Sequence, residues 1–345
     1  MNESLIHLVL NNYERPWDWT YLSANPSITQ KDIDTYRDLP WSWRHLSQNP
    51  NVSMEFVFVN MQFDWDWQAL SSNPSVKIEH ILEHRYISWD WDKLSENPGI
   101  KWEDIRLNSE LPWNYGIIGA NPNISMKHIL ATPEWPWNPF FLAFNPSITL
   151  KDMEAKPNYP WDWHHMSSIA SLKGITNAHL RNPLLKWDFG LLGGNKYITM
   201  EMIDANPDKP WNWDMISQNP NLTLNYIQHN LSKPWNWDMI CYSFPFYGTL
   251  SKMRSIPTSD IDPIKLSYNP NITVRDVLEN MDLDWDWTTL SRIIYLQSTD
   301  IKKYAGFPWD WNNLSGNKNL RMNMIDPVYP WSWVALSANR LIGKS

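Results

Sequence analysis

The chain has 345 residues, with 25 tryptophans and 26 prolines against 11 glycines, and a formal net charge of −8. That charge removes the broad positive field behind most sequence-independent affinity for phosphate backbones, which argues against a nucleic-acid partner. A hydrophobic content of 43% with 19% charged residues excludes a disordered chain, and the single cysteine, Cys241, excludes an internal disulfide and reads as a core-facing thiol.

The opening stretch MNESLIHLVLNNYERPW carries a short apolar run without a basic leader or a small-residue cleavage site. It reads as a capping helix within residues 1–15 rather than a signal peptide. No stretch approaches the ~20 apolar residues that cross a bilayer, so no membrane association is expected and the protein is expected to be soluble and intracellular. Sequons at Asn51, Asn123 and Asn271 fall out of a repeated phrase and are expected to stay unmodified.

That phrase begins at residue 16 as PWDWTYLSANPSIT. Its first Trp recurs at Trp17, Trp41, Trp65, Trp89, Trp113, Trp137, Trp161, Trp187, Trp211, Trp235, Trp285, Trp309 and Trp331, with Ile261 holding the place in one degenerate unit. The step is 24 residues, except 26 after Trp161 and Trp235 and 22 at the last, giving fourteen units over residues 16–339 and a tail at 340–345. A period this regular marks a repeat array rather than independent domains.

Each unit reads as two short helices, A and B. The residue after the first Trp is Asp, Asn or Ser in every unit, from Asp18 to Ser332, which is an N-cap preference. The next residue is the first helical position, usually the second Trp; Pro139 and Pro263 occupy it in two units, where a missing N–H costs nothing. The first Trp is spaced to staple onto the fourth helical residue, as Trp17 onto Leu22. Helix A ends at Asn-Pro pairs such as Asn25-Pro26 and Asn121-Pro122. A second staple and cap follow, Ile28 before Thr29 with Ile33 beyond, and Thr29…Asp32, Thr149…Asp152 and Thr273…Asp276 resemble capping boxes.

The position after the A-helix Leu is Ser in most units and is otherwise small, as in Gly119, Ala143, Gly193 and Cys241. Restriction to small side chains predicts close approach of neighbouring helices, and serines repeated without a fixed His partner do not suit nucleophilic catalysis. Helices of about two turns do not persist alone in water. The fold class expected is therefore all-α, an α-solenoid of about fourteen two-helix repeats with a continuous Trp-rich core. At ~9–10 Å per helix layer its path would run roughly 130 Å.

The phrase PW(D/N)WxxLSxNPxIT, with double Trp, Leu-Ser, Asn-Pro and Ile-Thr at fixed offsets, resembles the Trp-rich repeat proteins of giant, mimivirus-like DNA viruses. The likeness covers residues 16 to about 339 and implies a viral origin and work inside an infected cell, in host cytoplasm or viral factory or within the virion; it brings no activity with it. Departures occur at Pro139, at the Ile261 unit, and where Ile169, Ser243 and Ile293 replace the Asn.

No phosphate-binding loop, Cys-x-x-Cys pair or nucleophile elbow is present, and no cofactor is expected. His80 and His84 share a helix face but lack further ligands at motif spacing, and His164-His165 is equally weak as a metal site. Acidic residues such as Glu103, Asp104, Asp152 and Glu201 read as a solvated stripe. Function is expected where units differ: Thr20, Tyr21, Ala24 and their counterparts, which are polar in most units, as Arg44, His45 and Gln48 or Asp92, Lys93 and Glu96. Units five and six instead place Tyr115, Ile117, Phe140, Phe141 and Phe144 there, either as an exposed protein-binding patch or buried by a bend in the array. Tyr242, Phe244, Phe246 and Tyr247, within CYSFPFYGTL, form a second candidate, as a loop over the groove or a hinge near 241–262. The reading that follows is a non-enzymatic adaptor for a viral or host protein or peptide. The alternatives are a structural protein of the virion or viral factory, which would self-associate, and a single-stranded RNA binder reading one base per unit.

Overall fold

A computed structural model describes residues 4–168, 173–257 and 260–341. Ile169, one of the departures noted above, lies outside them. Among the described residues every element is helical, from three to seven residues long, apart from one isolated parallel bridge between Thr273 and Tyr295. The chain forms two compact units, one of residues 43–211 and one that combines residues 1–42 with 212–345. Each is built from the two-helix repeats of an α-solenoid.

The caps follow the sequence. Asp18 accepts the N–H groups of Thr20 and Tyr21, Asn212 those of Asp214 and Met215, and Asp310 that of Asn313. Pro139 and Pro263 both stand at the first helical position. All three capping boxes form, the Thr149 N–H donating to Asp152 at 2.8 Å. Repeat five departs: with Gly116, a poor helix former, in its first turn, its A segment is only a 3-10 turn, Ile118–Ala120.

The first Trp of each repeat contributes more than a staple. Its ring is buried in most repeats, as in Trp65 and Trp113, and its indole N–H donates to a carbonyl five residues earlier, Trp65 to Asn60 and Trp113 to Asn108, both at 2.9 Å. That carbonyl stands at the C-terminus of the preceding B helix, where no intrahelical partner exists. Trp187, after the longer step, reaches His179 instead, at 3.1 Å.

Three interactions join consecutive repeats. The second Trp of one meets the first Trp of the next edge to face, as Trp91 meets Trp113 at 5.1 Å and Trp163 meets Trp187 at 5.2 Å. The recurrent Ser hydroxyl donates back to the second Trp carbonyl and accepts the cap residue's N–H from the next repeat: Ser71 donates to Trp67 at 2.8 Å and accepts from Asp90 at 2.9 Å. The Asn of Asn-Pro reaches back, Asn121 Nδ2 donating to the carbonyls of Ser95, Asn97 and Ile100 while its Oδ1 accepts the Asn123 N–H. Where the Ser is Gly119, a Cβ would stand 3.0 Å from Leu142 Cδ2, so the small residue there serves close approach alone.

The same three interactions join the last repeat to the first. Trp333 meets Trp17 at 5.0 Å, Ser337 Oγ accepts the Asp18 N–H at 2.9 Å, and Asn25 Nδ2 donates to the carbonyls of Ser337 and Asn339 at 2.8 and 2.9 Å. Arg15 lies over Trp333, which is buried at 6% exposure where second tryptophans such as Trp19 and Trp311 are only half-buried. The opening helix, Leu5–Asn11, stands as a B helix ahead of repeat one: Asn12, its C-cap, accepts the Trp17 indole N–H at 2.9 Å, as Asn60 accepts that of Trp65. The repeat spacing expected between neighbours is thus also realised between residues some 300 positions apart.

In the 43–211 unit three B helices carry His where the capping box has its acid. The backbone N–H groups of Lys77, Ser125 and Thr176 donate to Nδ1 of His80, His128 and His179 at 3.2, 3.2 and 3.0 Å. An accepting Nδ1 requires a neutral ring with its proton on Nε2, and protonation would set N–H against N–H. Burial holds the His80 and His128 pKa values below 6.5, against the pull of Glu55 on His80 and of Glu103 on His128, while Lys77 and Lys127 push the same way as burial; Glu79 and Glu83 also face His80. Because these pKa values are depressed in the folded state, the stability they carry is complete above about pH 6.5 and is lost as pH falls through the folded values. Wild type is therefore expected to lose melting temperature between pH 7 and 5 more steeply than a His80→Asp/His128→Asp variant in calorimetry, whereas parallel slopes would contradict the assignment.

Candidate functional site

Repeats ten and twelve lose the Asn-Pro on either side of repeat eleven, which keeps it at Asn269-Pro270 although Ile261 replaces its first Trp. Ser243 and Ile293 stand where the Asn should, followed by Phe244 and Ile294 rather than Pro. Without that stop the A helices run on to seven residues, Trp237–Ser243 and Trp287–Ile293. Repeat twelve also lacks the amide that would donate to the Ile272 carbonyl. The backbone N–H of Tyr295 takes its place at 3.0 Å, which creates the isolated bridge.

On the other flank the chain enters the left-handed region at Tyr247 (φ 41°) and Gly248 (φ 85°); Tyr247 is the one non-glycine residue with positive φ among the described residues. Such a conformation persists in a bulky residue only when its surroundings over-determine it. Here they do. Asp276, fully buried, accepts the N–H groups of Gly248 and Leu250 at 2.8 and 3.1 Å, together with the N–H and hydroxyl of Thr273. The Tyr247 hydroxyl donates to Asn271 Oδ1 at 3.2 Å.

These departures open a cleft of about 770 Å³ between the B helices of repeats eleven and twelve, Val274–Leu278 and Asp300–Lys303. Tyr247, Leu278, Tyr295 and Tyr304 give it aromatic and aliphatic walls, with Arg275, Gln297, Thr299 and Lys303 as polar groups. Its size is that of a ligand site. Asp300 is buried at one wall, its Oδ2 accepting the Gln297 N–H at 2.6 Å, and burial raises its pKa. A second hollow of about 440 Å³ shares Thr299 and Lys303 and adds Ser298, Lys302 and Tyr329.

The residues singled out in the sequence divide here. Of the second group, Tyr247 forms the cleft lip and Tyr242 is exposed, 6.2 Å from Tyr268. Phe244 and Phe246 are buried core, 5.0 Å apart, and present nothing to a partner, which corrects their assignment as binding residues: Phe246 replaces the core Ile of the regular phrase. Of the first group, Phe140 and Phe144 are 38% and 48% exposed and cluster with Phe141 and His165. Tyr115 and Ile117 are half-buried, and Tyr115 rests on Trp135 at 4.6 Å rather than joining the phenylalanines. Tyr295, Gln297, Thr299 and Lys303 escaped the sequence reading. Their signal was the lost Asn-Pro at Ile293, noted there only as a local irregularity.

Reactive chemistry has little foothold in the recurrent side chains. Buried Ser hydroxyls are engaged as donor and acceptor, and burial pushes the Cys241 thiol up to about 11, far from a nucleophile's range. His80 and His84 both pack on the Phe58 ring, at 5.4 and 4.1 Å, and no group of three metal-ligating side chains occurs among the described residues. No helix among the described residues is long and apolar enough to cross a membrane. No protein-family model matches the chain, and comparison with curated proteins and with solved structures returns no match.

Proposed function

We propose that this protein is a non-enzymatic scaffold that holds a segment of a partner protein in the cleft of repeats ten to twelve. The observation that carries the reading is the conjunction of the 770 Å³ cleft with the left-handed Tyr247 at its lip, held by the buried Asp276. The Asn is lost at Ser243 and Ile293 in repeats ten and twelve, which supply Tyr247 and the 295–304 wall of this cleft. Exposed tyrosines supply large contact area at low entropic cost, and Gln297 and Thr299 supply groups suited to a peptide backbone. On the resemblance of its phrase, the setting is a virus-infected cell.

Selection of a displayed random dodecapeptide library on the full chain tests this. Selected peptides are expected to bind a folded Tyr247→Ala/Tyr295→Ala variant at least tenfold more weakly than wild type. Equal binding by that variant, or failure of wild type to select any sequence family, would remove the reading.

A further inference from the structure

We propose that the segment held in this cleft is acidic, its carboxylates meeting Lys302, Lys303 and Arg275; this rests on the peptide-binding reading above. The chain carries a net charge of −8, and several of its cations are already matched. Arg254 is bound through both terminal nitrogens to Asp282, and Lys265 pairs with Asp238 and Asp262. Lys302 and Lys303 form no ion pair among the described residues, although they flank the two hollows on either side of one short helix. Lys303 lies over the Tyr304 ring at 5.0 Å, with the Tyr304 hydroxyl and the Asp300 carboxyl also beside its ammonium.

The acids nearby each hold a hydrogen-bond partner. Asp276 accepts from Thr273, Gly248 and Leu250, Glu279 takes the Arg275 Nε–H at 2.6 Å, and Asp326 accepts the Val328 N–H at 3.1 Å. Asp300 is turned onto the Gln297 N–H, and its burial disfavours the charged form. Arg275, with Nε held by Glu279 and a side chain 72% exposed, keeps its terminal nitrogens toward solvent for bidentate contact with a carboxylate. Arg275, Lys302 and Lys303 thus stand against Asp300 and Asp326 in the two linings, three cations to two acids beside tyrosine hydroxyls, on an acidic protein. Such a surface fits Asp or Glu side chains set beside an aromatic or aliphatic anchor.

The dodecapeptide selection separates this proposal from the reading beneath it. The enriched sequences are expected to be rich in Asp and Glu, and a fluorescein-labelled member is expected to bind in anisotropy with affinity that falls at least tenfold in Lys302→Glu/Lys303→Glu. It should fall similarly when its Asp and Glu become Asn and Gln, weaken in 0.5 M salt as about 10 Å screening shortens, and persist in Lys302→Arg/Lys303→Arg. Neutral or basic consensus peptides, or an acidic peptide indifferent to charge reversal in a variant of unchanged melting temperature, would overturn the acidic assignment while leaving peptide binding intact. Displacement of the peptide by an oligonucleotide at equal charge concentration would overturn it in favour of a general polyanion site. Selection of no peptide at all would overturn both.

Discussion

Asn121→Ala is expected to lower the stability of the array by about 2–4 kcal/mol, read as a shift in the denaturant midpoint at unchanged slope. The side chain is fully buried, donates to three carbonyls of the preceding repeat and accepts one N–H from its own turn. An apolar replacement leaves the Ser95 carbonyl and the Asn123 N–H unpaired, while the Asn97 carbonyl keeps the Ile100 N–H and the Ile100 carbonyl keeps Asn123 Nδ2; each orphaned group costs about 1–3 kcal/mol, partly recovered by water. Asn121→Asp is expected to be at least as severe, because it keeps the acceptor and turns a negative charge toward three carbonyl oxygens. A loss below about 1 kcal/mol would mean that the amide is a helix stop only, since surface substitutions away from such features stay within ±0.5 kcal/mol.

Trp333→Ala is expected to be comparably costly, about 3–5 kcal/mol by the usual range for truncating a buried aromatic. Its ring is the seat of Trp17 and lies under Arg15, so its loss opens the contact between the last repeat and the first. The distinguishing consequence is where the damage appears. Hydrogen exchange should rise at Leu22 and Ser23 in repeat one as well as around Leu336, because Asn25 and Asp18 lose their anchor on Ser337. In Trp311→Ala the rise should instead centre on Trp331, its edge-to-face partner at 5.0 Å. Damage confined to the last repeat in Trp333→Ala would contradict the account.

Most of the local fold was legible in the sequence because it is written in short-range chemistry. Asp18, Asn212, Pro139 and the Thr29…Asp32 box act within four residues of themselves, and the sequence places such partners side by side. The joints were less legible. Ser71 was read as merely small and Asn121 as merely a stop, since the carbonyls and N–H groups they meet belong to a neighbouring repeat and leave no side-chain signature. The contact of Ser337 with Asp18 was not legible at all: it uses the same residues as every other joint, and a periodic phrase does not record how far each repeat turns.

The cleft shows the opposite limit. Its walls come from residues that the phrase does not fix, and the loss of one Asn-Pro redirects a backbone N–H from Tyr295 to Ile272. The composition of CYSFPFYGTL drew attention to Phe244 and Phe246, which the core absorbs because the phrase demands an apolar residue there. Only Tyr247, forced into a left-handed turn by Asp276, remained at the surface of the cleft.

The central structural claim is that the first repeat continues the last. It is tested most directly by spin labels at Tyr21→Cys and Val334→Cys, in a Cys241→Ser background, since both positions are exposed and lie on the A helices of repeats one and fourteen. Pulsed dipolar spectroscopy should give one narrow, short distance, set by a single helix spacing of ~9–10 Å and the reach of two labels. A broad distribution at several times that spacing, in a protein with wild-type melting, would show that repeats one and fourteen are apart.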